Sequence, residues 1–418
     1  MQEINQNSQT SLDFNSDILK PNNENDIQDI IKYCYKKDLP LEIIGTGTKQ
    51  NIGKKLQCAK TLEMSNFSGI IDYKPEELYI TVKAGTPIKI IQDELKKNNQ
   101  HLAFEPVNFS EVFNSNLKEG TIGGTLSCNF SGSRRFKVGS ARDHILGFKG
   151  YNGKGEKIKS GGTVVKNVTG YDLSKLVTGS FGTLLVLSEI TLKVLPLQTD
   201  TKTIIISDLA PEHSLGIMST ALSSSNEASG AVYYPENLRN NFVFNDLTHP
   251  GSITAIRVEG TKTSTKQRVT NFFSDLALEG KKTTILDNIQ SEIFWEDTRS
   301  LKAISKKKGN ILRVVVPPSE TVNLINRLKT FHPSYFIDWG GSLIWLDLDY
   351  LSNQKVDQIR KRVLESQGYL TVIKSPENVK SSAEIFTIDP IKFKISQNIK
   401  KSFDPKRILN PGKMYTGI

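Results

Sequence analysis

Gly120-Thr121-Ile122-Gly123-Gly124-Thr125 opens the stretch on which the fold turns. It is followed by Lys166-Asn167-Val168-Thr169-Gly170-Tyr171-Asp172 and by Gly179-Ser180-Phe181-Gly182-Thr183-Leu184, and it is preceded by Gly45-Thr46-Gly47-Thr48. Glycine lets a backbone approach a bulky ligand, and successive N–H groups then converge on phosphate oxygens. Four such segments, in order within the N-terminal half, point to a large bound nucleotide.

The spacing narrows the kind of nucleotide domain. A nicotinamide-type Rossmann unit needs GxGxxG after its first strand and an acidic residue about 20 positions later. Gly45-Thr46-Gly47-Thr48-Lys49-Gln50 lacks the third glycine, and no parallel βαβ series follows. The phosphate-loop pattern GxxxxGK[ST] is also absent. A doubly wound sheet is therefore disfavoured.

Length, composition and charge bound the rest. A chain of 418 residues exceeds one ordinary core, so two or three domains are expected. No stretch approaches the roughly 20 apolar residues of a membrane span, and the polar start MQEINQNSQTSLDFNSD predicts no signal peptide. The three cysteines, Cys34, Cys58 and Cys128, show no metal spacing, which fits a reducing, cytoplasmic setting and excludes iron–sulfur ligation by this chain. The net charge of +10 comes from scattered lysines with only short clusters such as Lys306-Lys307-Lys308, so a solvated surface is expected rather than a nucleic-acid face. An acidic partner subunit or an anionic membrane surface also suits that charge.

Along the chain, residues 1–20 read as a frayed N-terminus. Ile27, Ile30, Ile31 and Cys34 mark the buried face of a helix over 26–37, which leads into the strand Leu41-Glu42-Ile43-Ile44 and the first glycine loop. Tyr79 to Ala84 alternates as a half-buried strand, and Thr86-Pro87 predicts a capped helix start with Ile88, Ile91 and Leu95 inward. A hairpin is expected over 145–160 around Asn152-Gly153-Lys154-Gly155, a short helix over 172–177, and a long strand over 184–195. After Pro196 the pattern changes. Strands and helices at 201–207, 213–224, 229–234, 252–259, 264–278 and 282–286 form one β-α-β-β-α-β unit, and 311–317, 319–331, 334–338, 342–348, 353–366 and 369–374 form a second. Residues from about 386 make a separate tail ending Asn410-Pro411-Gly412-Lys413-Met414.

These residues resemble the vanillyl-alcohol-oxidase, or PCMH-type, class of FAD-binding domains. The resemblance rests on Ile44-Gly45-Thr46-Gly47-Thr48, Ala84-Gly85-Thr86, Thr121-Ile122-Gly123-Gly124, Arg142-Asp143-His144-Ile145-Leu146-Gly147 and Gly182-Thr183-Leu184, in that order. Within the class the chain is similar to the FAD-binding subunits of bacterial glycolate oxidase. That narrower likeness is carried by Phe104-Glu105-Pro106, Ser131-Gly132-Ser133-Arg134-Arg135, the segment 166–172, Asp338-Trp339-Gly340-Gly341 and 410–415. The implied fold is α+β: a flexible 1–20, a two-subdomain FAD-binding domain over 21–198, and a ferredoxin-like cap of antiparallel sheet and helices over 199–385. Residues 386–418 would return to the FAD domain.

The resemblance implies that Gly45, Thr46, Gly47 and Thr48 wrap the FAD pyrophosphate, with Gly123, Gly124 and Thr125 on a second loop. Pro106 would lie on the adjoining wall, and Gly182 and Thr183 near the adenosine or isoalloxazine. Arg142-Asp143 would be either an internal ion pair or a cofactor contact. Some relatives attach FAD through a histidine in the first loop, but positions 45 to 53 hold no His or Cys, so non-covalent FAD is expected. Cys128, just after the second loop, reads as a buried small side chain.

Oxidation of a 2-hydroxy acid needs a cation for the carboxylate and a base for the hydroxyl proton. Arginine suits the first task through its planar fork. Arg257, Arg299 and Arg313 are the candidates. Arg313 is preferred as the catalytic residue because it interrupts the apolar strand Ile311-Leu312-Arg313-Val314-Val315-Val316, with a structural ion pair as the alternative. The base is missing. Catalytic relatives carry a Gly-Glu-His-Gly motif toward the C-terminus, whereas no histidine follows His332 here; His101 and His144 read as structural, and His213 and His249 as surface residues.

The resemblance thus implies a subunit of a glycolate-oxidising complex with a related flavoprotein subunit and an iron–sulfur subunit, cytoplasmic or at the inner face of the membrane. This chain would relay electrons through its FAD. The alternatives are an FAD-binding scaffold without turnover and a stand-alone 2-hydroxy-acid oxidoreductase.

Overall fold

Asn23 starts the first helix, Glu24–Lys37. Its side chain accepts the Asp26 N–H at 3.0 Å while Asp26 accepts back from Asn23 N–H at 3.3 Å, a reciprocal cap that satisfies two otherwise orphaned donors. Ile27, Ile30, Ile31 and Cys34 are buried, as their spacing predicts. They pack on a small parallel sheet ordered Ile18–Leu19, Lys60–Glu63, Leu41–Ile44. The computed structural model describes residues 12–113, 119–164, 170–241, 249–305 and 309–418; residues 166–169 of the quoted segment 166–172, and Lys306-Lys307-Lys308, lie outside them.

A second layer is a five-stranded antiparallel sheet in the order Ile70–Lys74, Tyr79–Lys83, Leu185–Lys193, Ile145–Asn152, Lys157–Gly161. The helix Ile88–Lys97 buries Ile88, Ile91 and Leu95 against it. Its start differs from expectation. Pro87, not Thr86, holds the cap position, and Thr86 is turned inward, accepting from Gly69 N–H at 3.0 Å and donating to the Lys83 carbonyl at 2.6 Å. The hydroxyl ties two strand ends together instead of serving the helix.

The remaining large element is an eight-stranded antiparallel sheet. Its order is Thr283–Leu286, Asp200–Ser207, Ile253–Gly260, Gly230–Tyr234, Ser334–Asp338, Leu343–Leu348, Asn310–Val315, Tyr369–Lys374. Numbering the strands within each β-α-β-β-α-β unit gives 4-1-3-2 followed by 2-3-1-4. Two ferredoxin-like units are thus joined back to back through their second strands, at the single pair Tyr233 and Ile337. Helices Pro211–Ser223, Lys262–Asp275, Thr321–Leu328 and Asn353–Glu365 belong to the two units.

One helix, Asn288–Arg299, has no counterpart in the sequence reading. Asp287 and Gln290 cap it reciprocally, and it buries Phe294 and Trp295. It also exposes Ile289 and Ile293, so its apolar residues do not fall on one stripe. The tail is helical over Pro390–Phe403 and packs on the N-terminal half: Lys400 Nζ, fully buried, donates to the Thr183 and Leu409 carbonyls at 2.6 and 2.8 Å and to Asp404 at 2.8 Å. No described helix is long and apolar enough to cross a membrane.

Candidate functional site: an FAD cleft and a neighbouring ion network

The first glycine loop leaves the parallel sheet at Ile44 and turns at Gly47, whose φ of 79° suits glycine. Thr46 Oγ1 pins it by donating to the Glu119 carbonyl at 3.2 Å. Among the described residues, the N–H groups of Gly45 through Lys49 find no acceptor. Five successive free donors at the wall of a cleft are unusual, because buried backbone groups are normally paired. Gly45 itself has a packing reason: a Cβ there would come within 2.1 Å of Thr121 Oγ1, so this glycine lets the two loops touch.

The cleft gathers Gly45, Thr46, Gly47, Thr48, Gly123, Gly124 and Gly182. Pro106 and Thr125 face a smaller adjoining cavity that also meets Thr48. Thr183 turns away from the cleft; its hydroxyl donates to Ser180 O at 2.7 Å and its carbonyl receives Lys400. The second loop differs from the first in that Ile122, Gly123 and Gly124 N–H already bond to Thr86 O, Ala84 O and Thr121 Oγ1.

Three cleft residues were not foreseen as part of the site. Lys49 is a half-buried lysine with no carboxylate partner among the described residues, and desolvation lowers its pKa. Lys413 donates to Gln50 O at 2.7 Å, and its pKa is lowered by burial, with Glu42 only partly offsetting it. Asn410 accepts from Ile43 N–H and donates to the Phe181 carbonyl, both at 2.8 Å, so the tail holds the two cleft walls in register. Lys49 directly follows the glycine loop and Asn410 sits in the quoted C-terminal motif, so both had a sequence signal, but only folding aims them. Free N–H groups and two lysines short of counter-charge fit the diphosphate of FAD.

Three motifs meet at the seam between the N-terminal half and the large sheet, where Glu105, Arg134, Arg257 and Glu259 line a second cavity. Glu105 accepts from Arg134 N–H and Nη1 at 2.7 Å each and from Arg257 Nη1 at 2.8 Å. Arg134 also grips Glu259, with Nε at 2.9 Å and Nη2 at 2.5 Å. Arg257 lies over the Trp295 ring at 4.4 Å. Burial alone would raise the two carboxyl pKa values, but the arginines override it, holding Glu105 at about 2 and Glu259 lower still. Ser133 Oγ donates to Asp338 at 2.9 Å and Trp339 Nε1 to Gly132 O at 3.0 Å across the same seam.

This network sorts the arginine candidates. Arg257 is committed to Glu105, and Arg299 to Glu296 and the Pro106 carbonyl. Arg313 has no carboxylate partner among the described residues. It stacks over Phe130 at 5.6 Å and Trp339 at 5.0 Å, and burial, with Arg135 adding to it, draws its pKa down to about 9. Phe130 contacts Phe181, a cleft residue, at 6.2 Å between ring centroids, which places Arg313 one aromatic layer from the cleft.

Neither expectation for Arg142-Asp143 describes the contacts. Arg142 Nε donates to the Lys175 carbonyl at 2.9 Å, while Asp143 caps its own short helix by accepting from Ser140 N–H and Oγ at 2.8 Å. None of the five histidines lines the cleft. His144 lies between the Val138 and Lys193 carbonyls, and burial, then the charge of Arg134, holds His101 down to about 4.

Comparison with known proteins agrees with this geometry. Residues 17–161 match the FAD binding domain family, and residues 386–414 match the C-terminal domain of FAD linked oxidases. Glycolate oxidase subunit GlcE of Escherichia coli is 28% identical over 382 residues, covering 91% of this chain and 93% of the relative. Glycolate oxidase subunit GlcD of Bacillus subtilis is 24% identical, covering 95% and 88%. A D-lactate dehydrogenase of Archaeoglobus fulgidus is 24% identical, covering 95% and 90%. Among solved structures, p-cresol methylhydroxylase with substrate bound aligns with a TM-score of 0.69 at 14% identity, over 96% of this chain and 88% of that one, a likeness of fold. The chain thus carries an FAD binding domain over residues 17–161, has the fold of PCMH-type FAD oxidases and is similar to FAD-linked hydroxy-acid oxidoreductases, and FAD is its cofactor.

Proposed function

We propose that this chain is the FAD-binding subunit of a glycolate (2-hydroxy acid) oxidase complex. In it, residues 21–198 and 386–418 act as the FAD-holding unit and residues 199–385 as the cap over the substrate. When bound, FAD supplies the hydride acceptor. Gly45, Thr46, Gly47 and Thr48 offer backbone N–H groups to its diphosphate, and Lys49 offers charge. Gly123, Gly124 and Gly182 let the walls close around it, with Thr125, Pro106 and Thr183 supporting them from behind. Attachment is non-covalent: positions 45 to 53 hold no His or Cys, and burial pushes the Cys128 thiol up to about 11 despite Lys49 beside it.

The observation that carries the substrate reading is Arg313. A half-buried guanidinium with no carboxylate partner among the described residues, one aromatic layer from the FAD cleft, fits the carboxylate of a small hydroxy acid. No histidine stands in the cleft to take the hydroxyl proton, and this favours electron relay within a complex over unaided turnover. A related flavoprotein subunit and an iron–sulfur subunit are the proposed partners, at the inner face of the membrane or in the cytoplasm. The three free cysteines of this chain leave cluster ligation to a partner.

Anaerobic addition of glycolate to the FAD-loaded chain tests this reading. We expect the visible flavin band to persist in the isolated chain and to bleach in the assembled complex. Rapid bleaching of the isolated chain would mark a stand-alone enzyme. A chain that cannot be reconstituted with FAD at all would remove the basis of the proposal.

A further inference from the structure

The large sheet has two edges, and the chain treats them differently. On the outer side of Tyr369–Lys374 its own tail completes the ladder. There Val372 N–H donates to the Ile385 carbonyl at 2.9 Å and Thr387 N–H to the Leu370 carbonyl at 3.0 Å, with Thr371 paired to Phe386. At the opposite end stands Thr283–Leu286, paired on one side with Asp200–Ser207. Among the described residues nothing pairs with its other side.

The register shows which backbone groups are left over. Ser207 N–H donates to the Lys282 carbonyl at 2.9 Å, one step beyond the pairing of Ile206 with Thr283. Bonded and non-bonded pairs alternate along an antiparallel ladder, so Thr284 and Leu286 turn their backbone groups toward Asp200–Ser207. Thr283 and Ile285 point theirs outward. Such an open row is a template for another strand, and proteins usually blunt it with a proline, a bulge or a charge. Thr283-Thr284-Ile285-Leu286 has no proline or charge, and its register runs without a shift. The adjoining Lys282 is drawn back to Asp208 at 2.7 Å. Ile285 is 47% exposed, and Ile289, at the start of the following helix, 68%.

We propose that this edge is the interface of a two-fold homodimer, in which a second copy pairs antiparallel along Thr283–Leu286 and joins two eight-stranded sheets into one. The inference stands apart from the hydroxy-acid reading. The occupant follows from the sequence, which is complementary to itself here. Outward groups must meet outward groups, so Thr283 pairs with Ile285 of the second copy and Thr284 sits opposite itself on the axis. The same register sets Lys281 opposite Asp287 of the second copy, once at each end. Directly opposed unlike charges and β-branched pairs both stabilise a ladder. Sliding the copies two residues either way sets Lys281 against Ile289 or Ile285 instead, and both charge pairs are lost. An isologous contact of this kind closes at two copies. It is small, so the dimer is reversible and depends on concentration.

Sedimentation equilibrium of the FAD-loaded full chain, from about 1 to about 100 µM, tests this. A monomer–dimer equilibrium is expected, with amide exchange at Thr283 and Ile285 slowing as the chain is concentrated. Ile285→Pro removes an outward N–H and no bond to Asp200–Ser207, a placement that proline tolerates on an edge strand. It should weaken dimerisation at least about tenfold, the scale of losing one hydrogen bond per copy, with the flavin band retained. Lys281→Glu sets like charges opposite each other at both ends and should weaken the dimer as well. It lies outside the strand, so it decides alone if the proline variant does not fold. A dimer that keeps its strength in Lys281→Glu and in folded Ile285→Pro would overturn the assignment. So would an unaltered chain that stays monomeric across the range, since the second copy would then not be the occupant of this edge.

Discussion

Glu105→Gln tests whether the buried ion network at the seam holds the large sheet over the cleft. The substitution keeps the side chain's shape at a residue whose backbone is left-handed, with φ of 50°, and removes one of the two charges facing Arg134 and Arg257. The carboxyl is about 10% exposed, so solvent screens it little. Burial raises its pKa and the two arginines lower it further than burial raises it, leaving it at about 2 against an ordinary 4.5. At about 1.4 kcal/mol per pH unit, that gap corresponds to about 3 kcal/mol. This agrees with the roughly 3–5 kcal/mol lost when one member of a buried pair is removed. The sign follows from the depressed value: the stabilisation is complete above about pH 4.5 and is lost as pH falls toward about 2. Urea unfolding of the FAD-loaded chain over a pH series should show Glu105→Gln less stable by about 3 kcal/mol at pH 7, with the difference shrinking in acid. A variant within about 0.5 kcal/mol of the unaltered chain at pH 7, the range of ordinary surface substitutions, would refute the reasoning.

Three further outcomes are expected. Lys49→Gln should weaken FAD binding about tenfold or more, as expected for one charge-assisted contact, and flatten its dependence on salt; flavin-fluorescence titration reads both, and an unchanged affinity would remove Lys49 from the site. Gly45→Val should yield a folded chain without the visible flavin band, since a Cβ at 2.1 Å from Thr121 Oγ1 forces the two loops apart. Burial raises the Asp338 carboxyl to about 7, above its ordinary 3.8, so the native state loses stability as pH climbs from about 4 through 7. Asp338→Asn should abolish that decline in urea unfolding at pH 5 and pH 8, and an identical decline in the variant would exclude Asp338 as its source.

Local patterns account for most of the architecture. The stripe through Ile27, Ile30, Ile31 and Cys34 and the two β-α-β-β-α-β runs depend on neighbours a few residues apart, and both appear in the fold; Tyr79–Lys83 is a strand as expected, but it is buried on both faces rather than half-buried. What was not legible depends on distant partners. The back-to-back joining of the two units rests on one pair, Tyr233 and Ile337. Helix Asn288–Arg299 was hidden because Ile289 and Ile293 point outward and blur its period. In the site, the glycine loops announced a nucleotide, but the free N–H groups of residues 45–49 show only once the loop's missing acceptors can be checked. Arg257 stood as a candidate beside the preferred Arg313, and 152 residues separate it from Glu105, the partner that occupies it. Thr86 had cap chemistry and Arg142-Asp143 had opposite charges side by side; tertiary contacts redirected all three.

Asn410 gives the cleft a timetable. The bond from Ile43 to its side chain spans 367 residues, and the same side chain holds Phe181 on the opposite wall. During synthesis at about 5–20 residues per second, the first glycine loop therefore waits on the order of 20–70 s for the residue that sets its wall. Until then its lysine and open N–H groups face solvent, without the geometry that aims them. A flavin captured before that moment would be held by one wall only, so tight retention is a property the chain acquires near the end of its translation. Arrest or cleavage ahead of residue 410 should release a chain with most of its sheets and little grip on its cofactor.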